Sequence, residues 1–222
     1  LIKLSIESCR ITHNNAISYL GCLNCALFIY YAMNNIPINE WCFKLLELLE
    51  SDKINHYIKS FAKDQYKEHI NDKNKYINKW KTYIKWRFNN KLHIKLENMP
   101  DLMIPSKRIY EYWKRFSDNH TYFFPGENAD ENMIMIYDCF LDTDENYERM
   151  FVYSILHTGN NGPIGTIISS LYGIMYGFKN VPLHYAEIEK NIGDKIDKTT
   201  DDLYNKFGTE KKDINWEDYK FL

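Results

Sequence analysis

The sequence predicts an all-α domain. Three observations carry that expectation: apolar residues recur at three- and four-residue spacing in one segment after another, no stretch alternates convincingly as a half-buried strand would, and polar or proline-containing clusters separate the periodic segments. No internal repeat breaks the chain into copies. Its 222 residues suffice for one domain with a sizeable core, so residues 1–222 are taken as a single domain.

The elements follow in order. Leu1 to Arg10, with Leu1, Leu4 and Ile6 beside the small Ser5, Ser8 and Cys9, fits a short packed helix or the end of one. Thr12-His13-Asn14-Asn15 offers capping side chains for a second helix from Ala16 to Asn34, whose Leu20, Leu23, Leu27 and Tyr30 keep helical spacing. Asn34-Asn35-Ile36-Pro37 ends it, and Ile38 to Leu49 predicts a third. Residues 53–95 hold twelve Lys or Arg against three Asp or Glu, interleaved with Tyr57, Phe61, Tyr66, Tyr76, Trp80, Tyr83 and Trp86. A long amphipathic helix pair with solvated lysines is expected there. Met99 to Pro105 is a connection, and Ile109 to Phe116 a short helix. Asn119 to Asn132 is a loop, followed by a buried helix from Asn132 through Phe140. Asp142-Thr143-Asp144-Glu145 turns the chain into a helix from Tyr147 to His157.

Composition excludes several classes. Apolar residues at 45% and charged residues at 26% are globular values, and a net charge of -2 gives no overall pull toward nucleic acid or anionic lipid. No run of about 18 uncharged apolar residues is recognised as a membrane span, and no basic-then-apolar leader opens the chain, so a cytoplasmic monomer is expected. The five cysteines, at 9, 22, 25, 42 and 139, lack the dense even spacing of a secreted scaffold and are expected as reduced thiols. Cys22-x-x-Cys25 lies inside an apolar helix with no second ligand pair for zinc. Asp142-Thr143-Asp144 lacks the glycine and terminal glutamate of a calcium loop. The basic, aromatic stretch 53–95 is the one segment suited to nucleic acid, through phosphate neutralisation and base stacking.

The most informative segment is His157-Thr158-Gly159-Asn160-Asn161-Gly162-Pro163-Ile164-Gly165, running into a helix of small and apolar residues that ends Gly173-Ile174-Met175-Tyr176-Gly177-Phe178. It resembles the closing motif of the ADP-ribosylglycohydrolase family, nearest to the ADP-ribosyl-arginine hydrolases. There the motif runs Gly-Gly-Asp-Ser-Asp-Ser-Thr, a small-residue helix, then Gly-x-Met-Tyr-Gly-Phe. Ser5-Ile6-Glu7-Ser8-Cys9-Arg10-Ile11-Thr12-His13 is similar to the family's Ser-Ile-Glu-Ser-Gly-Arg-Met-Thr-His. Tyr19-Leu20-Gly21, Lys79-Trp80, Tyr83, Tyr137-Asp138 and Leu203-Tyr204 also fall in family order. The resemblance covers nearly the whole chain. It implies the compact orthogonal helical domain of that family and corresponds to the family's C-terminal portion. The family's N-terminal glycine-rich helix, Thr/Ser-Asp-Asp-Thr metal motif and glycine-rich substrate loop are expected to be missing.

The resemblance also implies a chemistry. The family removes ADP-ribose from arginine with magnesium held by aspartates from both halves of its chain. Magnesium asks for oxygen ligands, and carboxylates offset its charge. Here the two aspartates of the closing motif are Asn160 and Gly162, and the following serine and threonine are Pro163 and Ile164. Asn160 remains as a degenerate metal position, magnesium binding is expected to be weak or absent, and no catalytic residue is assigned. Asn160 and Asn161 are candidates for a weak ribose site, against a role as helix cap and turn. His13 matches a histidine near the ADP-ribose site. Glu131 falls on the aspartate of the family's His-Asp-Ala-Pro, and Asp130 on the histidine; both are expected mainly as solvated loop carboxylates. Gly159, Gly173 and Gly177 are expected to keep the turn and helix packing. Thr200-Asp201-Asp202 looks like a metal motif but is expected to cap the start of a helix. The implied partner is ADP-ribose or an ADP-ribosylated protein.

Overall fold

The computed structural model describes residues 1–89, 104–118, 120, 123–182 and 190–207, with only the backbone of Asp64, of 190–192 and of Phe207. Among them the elements are helical, without a strand. They are α1 (Ile2–Arg10), α2 (Ala16–Met33), α3 (Trp41–Glu50), α4 (Asp52–Phe61), α5 (Tyr66–Phe88), α6 (Pro105–Phe116), α7 (Ala129–Leu141), α8 (Tyr147–Ile155), α9 (Asn161–Tyr176) and α10 (Lys190–Phe207). Leu1–Asn180 forms one compact unit, and Val181–Leu222 a second that holds α10.

Local signals account for most boundaries. Asn15 caps α2, its side-chain oxygen accepting from the Ser18 amide at 2.9 Å. Past α2, Asn35 takes the left-handed conformation at φ 53° before Pro37. The basic stretch does form a helix pair, α4 and α5, and Asn89 ends α5 at φ 46°. The expected connection over 99–105 lies outside the described residues up to 103. Helix α6 starts at Pro105, earlier than the spacing suggests, because proline suits a first-turn position where no amide partner is needed. Thr200-Asp201-Asp202 is a correction: α10 begins ten residues earlier, at Lys190, so these residues lie inside the helix and cap nothing.

Helix α2 is the central element, packed against α1, α3, α5, α7 and α9. It corrects the expectation about uncharged runs. Ala16–Met33 has no charged residue and a mean hydropathy of 1.5, long and apolar enough by composition to cross a membrane. Its apolar character is used here for burial, with Leu20, Leu23 and Phe28 fully enclosed. Around Phe28 the rings of Trp41 and Tyr137 lie 5.3 and 5.4 Å away, and Tyr137 meets Trp80 and Tyr83 at 5.9 and 5.7 Å. Offset and edge-on rings at these distances add to the burial of their area.

A buried ion network ties α5, α6 and α7. Asp138 is fully enclosed; Arg108 donates to its Oδ2 at 2.7 Å, Tyr83 donates to Oδ1 at 2.7 Å, and Arg87 Nε lies 2.6 Å from Oδ1 as an ion pair. Asp142 bridges the same two guanidiniums, through Arg87 Nη2 at 2.7 Å and through Arg108 Nη2. Burial pushes the Asp138 carboxyl up, but Arg87 and Arg108 outweigh it and hold the group below the usual carboxylate range. Tyr137-Asp138, read in the sequence as a family match, is therefore a ring in the core and an anion between two guanidiniums.

Candidate functional site

A cavity of about 720 Å3 opens between the start of α2, α5, the N-terminal end of α7 and the N-terminal end of α9. Close backbone approach builds it. A Cβ on Gly21 of α2 would lie 2.6 Å from Ala129 Cβ, so the bare glycine lets α2 and α7 meet at the cavity floor. The 123–128 loop turns at Gly126, φ 85°, where a side chain would be strained. That loop grips the segment before α9: the Asn160 amide donates to Pro125 O at 3.0 Å, and a Cβ on Gly159 would sit 2.4 Å from the same oxygen. Gly159 thus serves the turn as expected, and Gly177 ends α9 at φ 60°. Gly173 meets nothing within 4 Å of a Cβ position; Gly165, 2.7 Å from Ile155 by the same measure, carries the α8–α9 contact instead.

The structure brings His13 and Asn160 to one cavity wall and leaves the other two candidates off it. His13 is exposed, with Nδ1 2.9 Å from the Thr12 hydroxyl. Asn160 occupies the cap position of α9 without capping it; its side-chain amide donates to Gly126 O at 3.1 Å and joins two loops. Asn161 opens α9, and its amide donates back to Ile155 O and His157 O at 3.1 and 3.3 Å. Glu131 corrects the expectation of a solvated loop. Helix α7 starts at Ala129, which puts Asp130 and Glu131 in its first turn, 2% and 3% exposed. Glu131 accepts from the Gly126 amide, the Asp118 amide and the Ser117 hydroxyl, each at 3.1 Å, and so organises the loop before it. Carboxylates at this end of a helix also complement its dipole.

Asp130, Asp118 and Lys79 are the site residues that the spacing of the sequence does not single out. Lys79 Nζ lies 2.8 Å from Asp130, 2.8 Å from Asp118 and 3.6 Å from Glu131. Burial alone would lower the lysine's pKa; Asp130 and the other carboxylates outweigh it and hold the ammonium charged, above its ordinary value. The three carboxylate oxygens lie within 4.8 Å of one another, a spacing suited to a cation, and the lysine supplies that cation. A sequence signal existed in Asp130-Glu131 and in the Lys79-Trp80 match, but the pairing across 51 residues was not visible in it. Asp72 and Glu127 add acidity to the cavity, with Lys75 bound to Asp72 at 2.9 Å. The basic stretch contributes less than its count suggests. Lys73 and Arg87 are buried on internal partners, as Lys79 nearly is, and Tyr76, Trp80 and Tyr83 are core residues unable to stack on a base.

The α9 position does not fit magnesium. Asn160 brings a neutral amide already engaged with Gly126 O, Gly162 has no side chain and open space around it, and Pro163 and Ile164 bring no oxygen ligand in their side chains. Hard divalent ions need oxygen donors and compensating charge, and the first turn of α9 has no acidic residue.

Among the described residues the fold is helical, and the cavity is lined by Cys9 and His13 at the end of α1 and beyond it and by Asn160 and Pro163 at the start of α9. The chain belongs to the ADP-ribosylglycohydrolase family, whose model matches residues 1–213. It is similar to a protein named ADP-ribosylhydrolase ARH1 of Dictyostelium discoideum, 35% identical over 207 residues, covering 85% of this chain and 51% of that protein. It is also similar to a protein of Acanthamoeba polyphaga mimivirus that carries the name of an ADP-ribosyl glycohydrolase, 32% identical over 179 residues, covering 81% of this chain and 34% of that protein. The chain thus spans about half or less of the length of these relatives.

Proposed function

We propose that this chain is an ADP-ribosyl-arginine hydrolase-like protein that keeps the family scaffold but is inactive, or severely impaired, in releasing ADP-ribose from arginine. The observation that supports this is the first turn of α9, where Asn160 is tied to Gly126 O and Gly162 carries no side chain. Cleaving an N-glycosidic bond develops positive charge on the sugar and needs an activated water. When bound, magnesium would supply water activation and orientation of the ribose. The chain's own residues do less: Asp130 and Asp118 are held by Lys79, and His13 and Asn160 offer only hydrogen-bonding groups. A cytoplasmic monomer with weak or no magnesium binding belongs to the same reading. Incubating the purified chain with ADP-ribosylated arginine and magnesium should release no ADP-ribose above the uncatalysed background; measurable turnover would sink the proposal.

A second reading is supported by the cavity itself, since His13 and Asn160 face one space of about 720 Å3, within the range of small-molecule sites. In that reading the chain is a non-catalytic module for ADP-ribose or an ADP-ribosylated protein. Calorimetry with ADP-ribose should give micromolar binding that weakens at least several-fold in His13→Ala, and an absence of heat would dismiss it.

A further inference from the structure

A buried polar cluster joins α4 to α5. On α5, His69 and Lys73 stand one helical turn apart, 1% and 4% exposed. Both reach the same atom of α4: Lys73 Nζ donates to Asn55 Oδ1 at 2.8 Å, and His69 Nε2 lies 3.1 Å from it. Asn55 Nδ2 donates to Asp52 Oδ1 at 3.1 Å, which fixes the end of the amide that faces α5. An amide oxygen only accepts, so Nε2 carries the hydrogen of the neutral ring, and Nδ1 accepts from the Tyr19 hydroxyl at 2.7 Å. Lys73 also donates to Ser51 O, at the end of α3, at 3.4 Å. Among the described residues, neither His69 nor Lys73 has a carboxylate within ion-pair distance. The charged groups around them act from further off: Glu50 and Asp52 on Lys73, Asp72 on His69, and Arg10, Glu68 and Asp72 on Tyr19. The Tyr66 ring flanks His69 at 6.3 Å.

We propose that Asn55 is an acid-sensitive latch: a protonated His69 sets two cations on its one oxygen and releases α4 from α5. A proton from solvent adds to Nδ1. Both ring nitrogens then donate, so the Tyr19 hydroxyl must turn to accept, and its own hydrogen loses its acceptor in a buried place. Imidazolium and ammonium are left sharing one neutral oxygen with no carboxylate in reach, and like charges held together out of water repel. Release of α4 carries Asn55 away and lets water reach both cations, while exposing Ile54 and Ile58, which are buried when the latch is closed. It also removes Tyr57, whose hydroxyl donates to Glu7 Oε1 of α1 at 2.7 Å. Burial first, and Lys73 second, bring the His69 pKa from 6.5 to about 4. The latch is therefore closed above pH 6.5 and opens as pH falls toward 4. The inference rests on these hydrogen bonds and is independent of whether the cavity takes ADP-ribose.

The experiment measures amide hydrogen exchange of the full chain at pH 7.5 and pH 5.5, corrected for the intrinsic rate at each pH, and follows the His69 ring by NMR titration. For a group of pKa 6.5 when released and about 4 when held, the opening constant rises about tenfold between these two values. The amides of α4 should therefore lose about tenfold in protection, and should exchange faster than those of α2 at both pH values, the mark of a release short of unfolding. In His69→Gln the protection of α4 should stay level between the two pH values. Asn55→Asp puts a carboxylate between the two cations, so its α4 should keep its protection at pH 5.5. A His69 ring that titrates at or above 6.5 in the folded chain would overturn the proposal even if neither variant folds. So would α4 amides that match those of α2, an unchanged α4 in the parent, or the parent's acid loss persisting in either variant.

Discussion

At the scale of single residues, Lys79 holds the acidic end of the cavity together. Its ammonium stands 2.8 Å from Asp130 and from Asp118 and 3.6 Å from Glu131, and two of those carboxylates are almost fully buried. Removing one partner of a buried ion cluster leaves uncompensated charge, which costs on the order of 3–5 kcal/mol. Lys79→Met is therefore expected to lose about that much stability at pH 7 by urea unfolding. A loss within about 0.5 kcal/mol, that of an ordinary surface substitution, would show that the ion cluster adds nothing to the fold. The loss of charge at Asn160 and Gly162 was legible in the sequence, because a missing carboxylate needs no geometry to be noticed. Asp130 and Glu131 were not read correctly: α7 starts at Ala129, where Gly21 of α2 packs against it, and so both carboxylates lie buried in its first turn.

At the scale of elements, the contact of α2 with α7 sets the shape of the cavity floor. Gly21→Ala places a Cβ 2.6 Å from Ala129 Cβ, and both atoms sit close to rigid helix backbone. Alanine is the better helix former by about 1 kcal/mol, yet overpacking of this kind costs about 1–3 kcal/mol. The expected outcome is net destabilisation in urea, with the double variant Gly21→Ala/Ala129→Gly restoring most of it. If the single variant were as stable as the parent, the close approach would not constrain the fold. Helix existence was legible from three- and four-residue spacing, and α2, α3 and α8 fall near where the sequence places them. The roles of the glycines were only partly so. Gly159 and Gly177 serve turns, but the helix contact belongs to Gly165 and not to Gly173, since periodicity cannot say which face of a glycine helix meets a neighbour.

At the scale of the whole molecule, stability should depend on pH through His69, which is 1% exposed. Its Nδ1 lies 2.7 Å from the Tyr19 hydroxyl and its Nε2 3.1 Å from Asn55 Oδ1. Burial first, and the neighbouring Lys73 second, lower its pKa from 6.5 to about 4. The unfolded chain therefore binds the proton first as pH falls. Stability is fully present above pH 6.5 and is lost down to pH 4, by up to about 3 kcal/mol from this group. Urea midpoints across that window should fall in the parent and stay flatter in His69→Gln; an unchanged slope would remove His69 as the cause. Asp138, with its lowered carboxyl, adds a further loss only at more acidic pH.

The sequence by itself determined the all-α class, the family, and the absence of acidic ligands at the start of α9. Each of these is written in periodicity, in ordered motifs or in the identity of a side chain. Only the tertiary structure decided that Lys79 joins three carboxylates and that Arg87 and Arg108 share Asp138 and Asp142. Those facts depend on which helix faces which. Helix pairing is set by the summed packing of faces remote in the chain, and local residue spacing carries no record of it.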